Sequence, residues 1–258
     1  MKLRIRQFLS RSGFFKSKKE VNDALIEGSI TLSGNELVKS PSYQFNPKKK
    51  NVYYNGKLIK PFRKDVYVVM NKPRGYLSAT KLSEEEKNFG KKSVFELLTD
   101  IDFRTKKTLV CAGRLDENTT GLLIITNDGD LVNTITNPDN NITKKYKVFL
   151  DKPLSRDDIR RITEGVTIKL EEEGRIIPYK TKKCKIEVLP NNQVFITISE
   201  GKKREVKRIF EAVNNNVLSL ERVAIGSLYI DKLDINEGEY KLVDKDFIIE
   251  KLGIKNIK

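Results

Sequence analysis

Nineteen residues, Gly113–Leu131 (GRLDENTTGLLIITNDGDL), concentrate the chemical possibilities of this chain. One carboxylate, Asp116, follows an arginine and precedes a Thr-Thr-Gly turn and the apolar run Leu122–Ile125. Asn127-Asp128-Gly129 then carries the turn chemistry that ends a buried strand and reverses the chain. The pattern predicts loop, strand, tight turn, with Asp116 on the loop feeding the strand. A carboxylate so placed is fixed by a rigid element yet open to solvent, which suits nucleophilic or acid–base work. The plainer task is to cap the Asn118–Thr120 turn, as short acidic side chains commonly do. Spacing alone favours the plainer task. A glycosidase would need a second, paired acid, and the neighbouring Glu117 is expected to point elsewhere on the strand.

The surrounding elements must hold this loop. Val66–Met70 is a compact apolar strand ending in the turn Asn71-Lys72-Pro73-Arg74-Gly75. Residues 80–92 are polar and aperiodic and read as a mobile loop, after which Ser93–Leu98 begins a short helix. Lys145–Leu150 alternates, with Tyr146, Val148 and Leu150 on the core face. Ile159–Gly165 and Lys180–Leu189 read as helix then strand, and Val194, Ile196 and Ile198 form one face of another strand. On the helix Lys203–Val213, a buried stripe comprises Val206, Ile209, Phe210 and Val213. Arg204 and Arg208 lie opposite it, while Lys203 and Lys207 border it. Lys207 at the border suits either a pair with Glu211 one turn on or a partner across the core edge. Residues 231–258 read as a strand–helix tail.

Charge is placed unevenly. Of the net +15, residues 1–64 supply 15 Lys and Arg against four Asp and Glu. A basic module on a near-neutral body is the footprint of a nucleic-acid tether. Leu3, Ile5, Phe8 and Leu9 give a first helix its apolar face, and Ser12-Gly13 breaks it. Ser17–Glu20 reads as a capping box opening a second helix with Val21, Ala24 and Leu25 inward, stopped by Gly28. Ile30–Leu32 and Leu37–Val38 flank one turn, and Val52–Tyr54 and Leu58–Ile59 flank Asn55-Gly56, a strong hairpin signal. The domains are therefore expected at 1–60 and 66–250, with a linker near 57–66.

The chain has no His, which excludes Ser-His-Asp catalysis and histidine metal sites. Cys111 and Cys184 are too few for a zinc site or a disulfide framework and fit a reducing cytoplasm. No apolar run reaches membrane-spanning length, and the charged N-terminus lacks a signal core. A cytoplasmic protein is expected.

GRLDENTTGLL resembles the signature of the RsuA/RluB/RluE/RluF family of ribosomal-RNA pseudouridine synthases, and NKPRG, the strand around Tyr146 and EGKKREVKRIFEAV resemble its other motifs in the same order. The resemblance implies that Asp116 is the catalytic residue, that Tyr146 stacks on the target base and that Lys207 pairs with Asp116. Arg114 would fill the space left by the flipped base or hold a phosphate. The N-terminal module resembles the RNA-binding domain of the ribosomal-protein S-four type, with Arg4, Arg6, Arg11, Lys16, Lys18 and Lys19 as phosphate contacts. Phe14-Phe15 departs from the small residues usual there. The implied fold is α+β, a small helical and hairpin domain joined to a body with a mixed, mainly antiparallel sheet flanked by helices. The implied activity is isomerisation of one uridine in ribosomal RNA or an assembly intermediate by a monomer, without cofactor or metal. The alternative is a non-catalytic RNA-binding or ribosome-assembly protein on the same fold.

Overall fold

The computed structural model describes residues 3–60, 65–172 and 174–254, and the side chains of Arg11 and Glu172 lie outside that description. The chain divides into two compact units, Met1–Asp65 with Thr99–Leu109, and Val66–Leu98 with Val110–Lys258.

In the first unit the helices Ile5–Arg11 and Lys18–Ile26 bury Ile5, Phe8, Leu9, Val21, Ala24 and Leu25, the faces that the apolar spacing predicts. Ser17 caps the second helix by accepting the Glu20 N–H at 3.1 Å. The Glu20 carboxylate accepts the Lys16 N–H rather than that of Ser17, so the reciprocal half of the box is displaced by one residue. A four-stranded sheet runs in the order Glu36–Leu37, Ile30–Leu32, Val52–Tyr54, Lys57–Ile59. Asn55 (φ 47°) and Gly56 (φ 74°) are both left-handed, the geometry that a two-residue hairpin turn requires. Of the stretch expected as linker, Lys57–Ile59 is thus a paired strand, and Pro61–Lys64 lies outside the described residues. Phe14 and Phe15 set their rings against Tyr54 at 5.6 and 5.2 Å between centroids.

The second unit is built on a mixed sheet. Its main strands are β1 (Tyr67–Lys72), β2 (Thr119–Thr126), β3 (Lys144–Leu150), β4 (Lys185–Leu189), β5 (Gln193–Ile198), β6 (Val217–Ile225) and β7 (Tyr240–Val243). They lie in the order β4-β5-β3-β6-β2-β1-β7. Only β2 and β6 run parallel along this path. The tail therefore completes the sheet at the edge beside β1. Strand β2 is fully buried from Gly121 to Thr126, as its unbroken apolar run requires. Gly121 has φ 99°, and a Cβ there would stand 2.4 Å from the Arg222 carbonyl, so only glycine lets β6 approach the strand that follows Asp116.

Two local expectations are overturned. Asn127-Asp128-Gly129 does not reverse the chain but opens a helix, α1 (Gly129–Thr136). Asp128 is its buried N-cap, accepting the N–H groups of Asp130 and Leu131 at 3.0 and 3.1 Å, the Tyr67 hydroxyl at 3.0 Å and Lys245 Nζ at 2.6 Å. Turn starters and N-caps draw on the same residues, and here the cap prevails. Residues 80–92 are not wholly loop either, because Ser83 and Glu86 form a capping box on the helix Glu84–Asn88.

Burial alone would raise the Asp128 carboxyl, but Lys245, the Leu131 N–H and the Tyr67 hydroxyl outweigh it and hold it below its ordinary value. A carboxyl whose folded pKa is depressed stabilises the fold above its unfolded value of about 3.9 and loses that contribution on acidification. Asp128→Ala should therefore cost about 2 kcal/mol at pH 7 and less near pH 3. Urea titrations at both pH values check this, and an equal cost at each would contradict it.

Candidate active site

Asp116 sits where a short irregular segment enters β2, and that segment is pinned from several sides. Ser78 Oγ donates to the Leu115 carbonyl at 2.9 Å and accepts the Leu115 N–H at 3.2 Å. The Thr119 N–H closes a turn onto the Asp116 carbonyl at 3.0 Å, and the Gly75 N–H reaches the Glu117 carbonyl at 2.9 Å. The turn is therefore capped by backbone and by a serine, leaving the Asp116 carboxylate unspent on the task that spacing alone favoured. Glu117 lies in this turn, not on the strand, and its carboxylate pairs with Lys91 at 2.6 Å.

Lys207 is the second residue after the start of α2 (Glu205–Glu211), whose Val206, Ile209 and Phe210 are buried as predicted. Its Nζ stands 3.6 Å from Asp116 Oδ2, an ion pair longer than a hydrogen bond. Glu211, the other partner that helical spacing offered, is not the one it meets. Tyr146 is 9% exposed and shares the buried face of β3 with Val148 and Leu150. Arg114, Asp116 and Tyr146 line one cleft of about 130 Å³. Five cationic residues, Arg114, Lys144, Lys202, Arg204 and Arg222, border that cleft against three acids, Asp116, Glu200 and Glu205. That balance suits a polyanionic ligand. A wider groove of about 650 Å³ between the hairpin Thr167–Glu172/Arg175–Lys180 and the outer side of α2 contains none of these groups.

Comparison with known proteins fits this geometry. The family profile described as RNA pseudouridylate synthase matches residues 66–212, more than half of the chain. The chain belongs to that family. The RNA pseudouridine synthase YtzG of Bacillus subtilis (strain 168) is 34% identical over 243 residues, covering 93% of this chain and 94% of its own. Ribosomal small subunit pseudouridine synthase A of Escherichia coli (strain K12) is 32% identical, over 85% of this chain and 87% of its own. A crystal structure of a pseudouridylate synthase superposes with a TM-score of 0.66 at 30% identity, covering 97% of this chain and 99% of the other.

Several residues of this pseudouridine synthase escaped the sequence reading. Lys72, in the NKPRG turn, is fully buried as the last residue of β1. Its Nζ donates to the carbonyls of Pro73, Glu117 and Thr119 at 2.9, 3.1 and 2.8 Å, bracketing Asp116 on its C-terminal side. Burial lowers its pKa to about 8, with Glu117 and Asp116 opposing the shift. Arg222 of β6 is 2% exposed and donates through Nε to the Leu122 carbonyl at 2.7 Å and through a terminal nitrogen to the Gly113 carbonyl at 3.4 Å. Lys144 lies two residues before Tyr146 on the same buried face, and burial, then repulsion by Arg222, depress its pKa. The readable signal was a lysine in register with core residues at 144, 146, 148 and 150. Burial pushes Cys111 up to about 12 and Cys184 up to about 11, so neither is a ready thiolate.

Among the described phosphate-contact candidates, Arg4, Arg6, Lys16, Lys18 and Lys19 are exposed on the first unit, and the Arg11 side chain lies outside the described residues. Among the described residues no helix is long and apolar enough to cross a membrane.

Proposed function

We propose that this enzyme converts one uridine of ribosomal RNA to pseudouridine, with Asp116 acting on the sugar. The observation that carries the reading is a carboxylate held on a pinned loop, ion-paired with Lys207 and facing a cleft walled by Tyr146. In this isomerisation the ribose–N1 bond of uridine breaks, the uracil turns in place and its carbon five joins the same sugar carbon. Asp116 serves as the nucleophile at that carbon or as the base for the neighbouring proton. Lys207 orients it, Tyr146 stacks on the extruded base, and Arg114 enters the vacated stack or holds a phosphate. The chemistry requires no cofactor. The relatives named for the ribosomal small subunit favour that subunit's RNA, or a particle containing it, as substrate, and the cytoplasm as the place of action. Mapping pseudouridines in ribosomal RNA from strains with and without the gene tests this, and an unchanged map removes the ribosomal substrate.

The first unit serves as the RNA tether, with the S-four-type arrangement of two helices beside a small sheet. Each Lys or Arg that neutralises a phosphate releases condensed counterions, contributing roughly 0.7–0.9 to the slope of log affinity against log salt. Replacing Arg6, Lys18 and Lys19 together by Gln should flatten that slope by about two. Filter binding across a salt series measures it, and an unchanged slope moves the tether elsewhere.

A further inference from the structure

We infer that Glu200 and Glu205 form a carboxyl pair sharing one proton, which holds the first turn of α2 and so positions Lys207 against Asp116. For its activity readout the inference rests on the function proposed above. Both residues are 3% exposed and both line the Asp116 cleft. Glu200, just beyond β5, accepts the Tyr179 hydroxyl and, at 2.7 Å, the Lys182 N–H. Glu205 opens α2, and its Oε2 accepts the Lys202 N–H at 2.7 Å while its own N–H donates to the Lys202 carbonyl at 3.1 Å. Its other oxygen, Oε1, is buried without a donor. Both side chains are buried in the same cleft and lie within reach of a side-chain hydrogen bond to each other, and two ionised carboxylates cannot make such a bond without a proton between them. One proton supplies a charge-assisted O–H···O bond and satisfies the orphan oxygen.

Geometry also says which residue carries it. Glu200 has two donors of its own and stays ionised, held below its ordinary value although burial opposes this. Glu205 has one, and burial, then Glu200, push it up to about 8. The other groups facing the pair do not replace the proton. Lys144 on β3 attracts Glu205 but is itself disfavoured as a cation by burial and by Arg222. Lys182 attracts Glu200, whereas Tyr179, up to about 12, and Cys184, up to about 11, stay neutral.

The consequence reaches Lys207 through a strained entry. Arg204, the N-cap of α2, has φ 55°, a left-handed conformation costly for a residue with a side chain. The Lys202–Glu205 hydrogen bonds and the carboxyl pair hold that entry on either side. Loss of the shared proton puts two like charges into contact at the first turn of a seven-residue helix, two residues before Lys207.

Glu205→Gln tests this, because the amide can donate to Glu200 in place of the proton and does not titrate. The ratio of kcat for Glu205→Gln to kcat for the parent should rise about tenfold between pH 7 and pH 9, since one pH unit above a pKa of about 8 leaves about a tenth of the parent protonated. KM for RNA should keep the same ratio throughout. Lys72 titrates in the same range but is common to both proteins and drops out of the ratio. Thermal melting supplies a readout independent of activity. A carboxyl with a raised folded pKa loses its stabilising contribution as pH climbs from its unfolded value to the folded one, so the melting advantage of Glu205→Gln should grow from about pH 5 to about pH 8 and then level. A melting difference that stays constant with pH overturns the shared proton. A growing melting difference with a flat kcat ratio overturns the positioning of Lys207.

Discussion

Asp116→Asn should reduce uridine conversion to background while leaving folding and RNA affinity close to the parent's. The amide has the size of the carboxylate and can still accept a hydrogen bond, and the segment around it is held by backbone and by Ser78 rather than by the Asp116 side chain. What disappears is the charge paired with Lys207 at 3.6 Å and the capacity to attack or to take a proton. Direct catalytic groups contribute at least about 10²-fold, about 2.7 kcal/mol of barrier, whereas an exposed ion pair contributes about 1 kcal/mol or less. Removing an anion from a cleft bordered by five cations also gives no reason for weaker RNA binding. Glu117→Gln is the matched control, since it loses only the pair with Lys91 and should keep most activity. Asp128→Asn is not a fair control, because Asp128 is a buried helix cap. Single-turnover conversion of ribosomal RNA transcripts or precursor particles, with binding measured in parallel, decides the matter. Near-parental turnover would sink the mechanism and move the catalytic group away from Asp116, whereas absence of conversion by the parent itself would leave an RNA-binding protein on a synthase fold.

The elements around Asp116 were legible where burial is periodic. Lys145–Leu150 alternates in sequence and in the sheet, and the stripe Val206, Ile209, Phe210 follows the helical repeat into the core. The Asn55-Gly56 turn was legible because left-handed backbone at two successive positions selects those residue types. Buried charge was not legible. Lys72 read only as part of a turn, and nothing in the local pattern singled out Lys144, Glu205 or Arg222. The Lys72 bonds to Glu117 and Thr119 and the Arg222 bond to Leu122 reach partners 45, 47 and 100 residues away. Charged side chains are almost never fully buried without such partners, and a local pattern cannot supply the partner. The helix Glu84–Asn88 was missed for the opposite reason, since it buries nothing and has no periodicity to read. Its capping box was the available signal. At Asp128 the signal was present but shared between two structures, a reversing turn and a helix start, and only the Tyr67 and Lys245 contacts separate them.

Lys72→Met should lower kcat by about 10²-fold while destabilising the fold by only about 1–3 kcal/mol. Methionine matches the length of the lysine stem but leaves the carbonyls of Pro73, Glu117 and Thr119 without the donor that gathers them. Two of those carbonyls belong to the turn carrying Asp116, so the carboxylate loses its placement against Lys207 and the cleft. Misplacing a reacting group by about 1 Å can cost a hundredfold in rate without comparable loss of stability. The stability cost is limited because the parent keeps an ammonium out of water with no charged group in hydrogen-bond contact, a burden reflected in its pKa of about 8. The pH dependence follows from that shift. Between about 8 and the unfolded value of about 10.4 the native state binds fewer protons at Lys72 than the unfolded chain does, so the parent gains stability there as pH rises. The deficit of Lys72→Met should accordingly be smallest below pH 8 and widen above it, whereas the advantage of Glu205→Gln is complete by then. Urea titrations from pH 7 to pH 10 follow the deficit, and single-turnover kinetics at 25 °C, with folding verified by circular dichroism, follow the rate. A kcat within about threefold of the parent's would show that backbone and Ser78 suffice to hold the Asp116 turn.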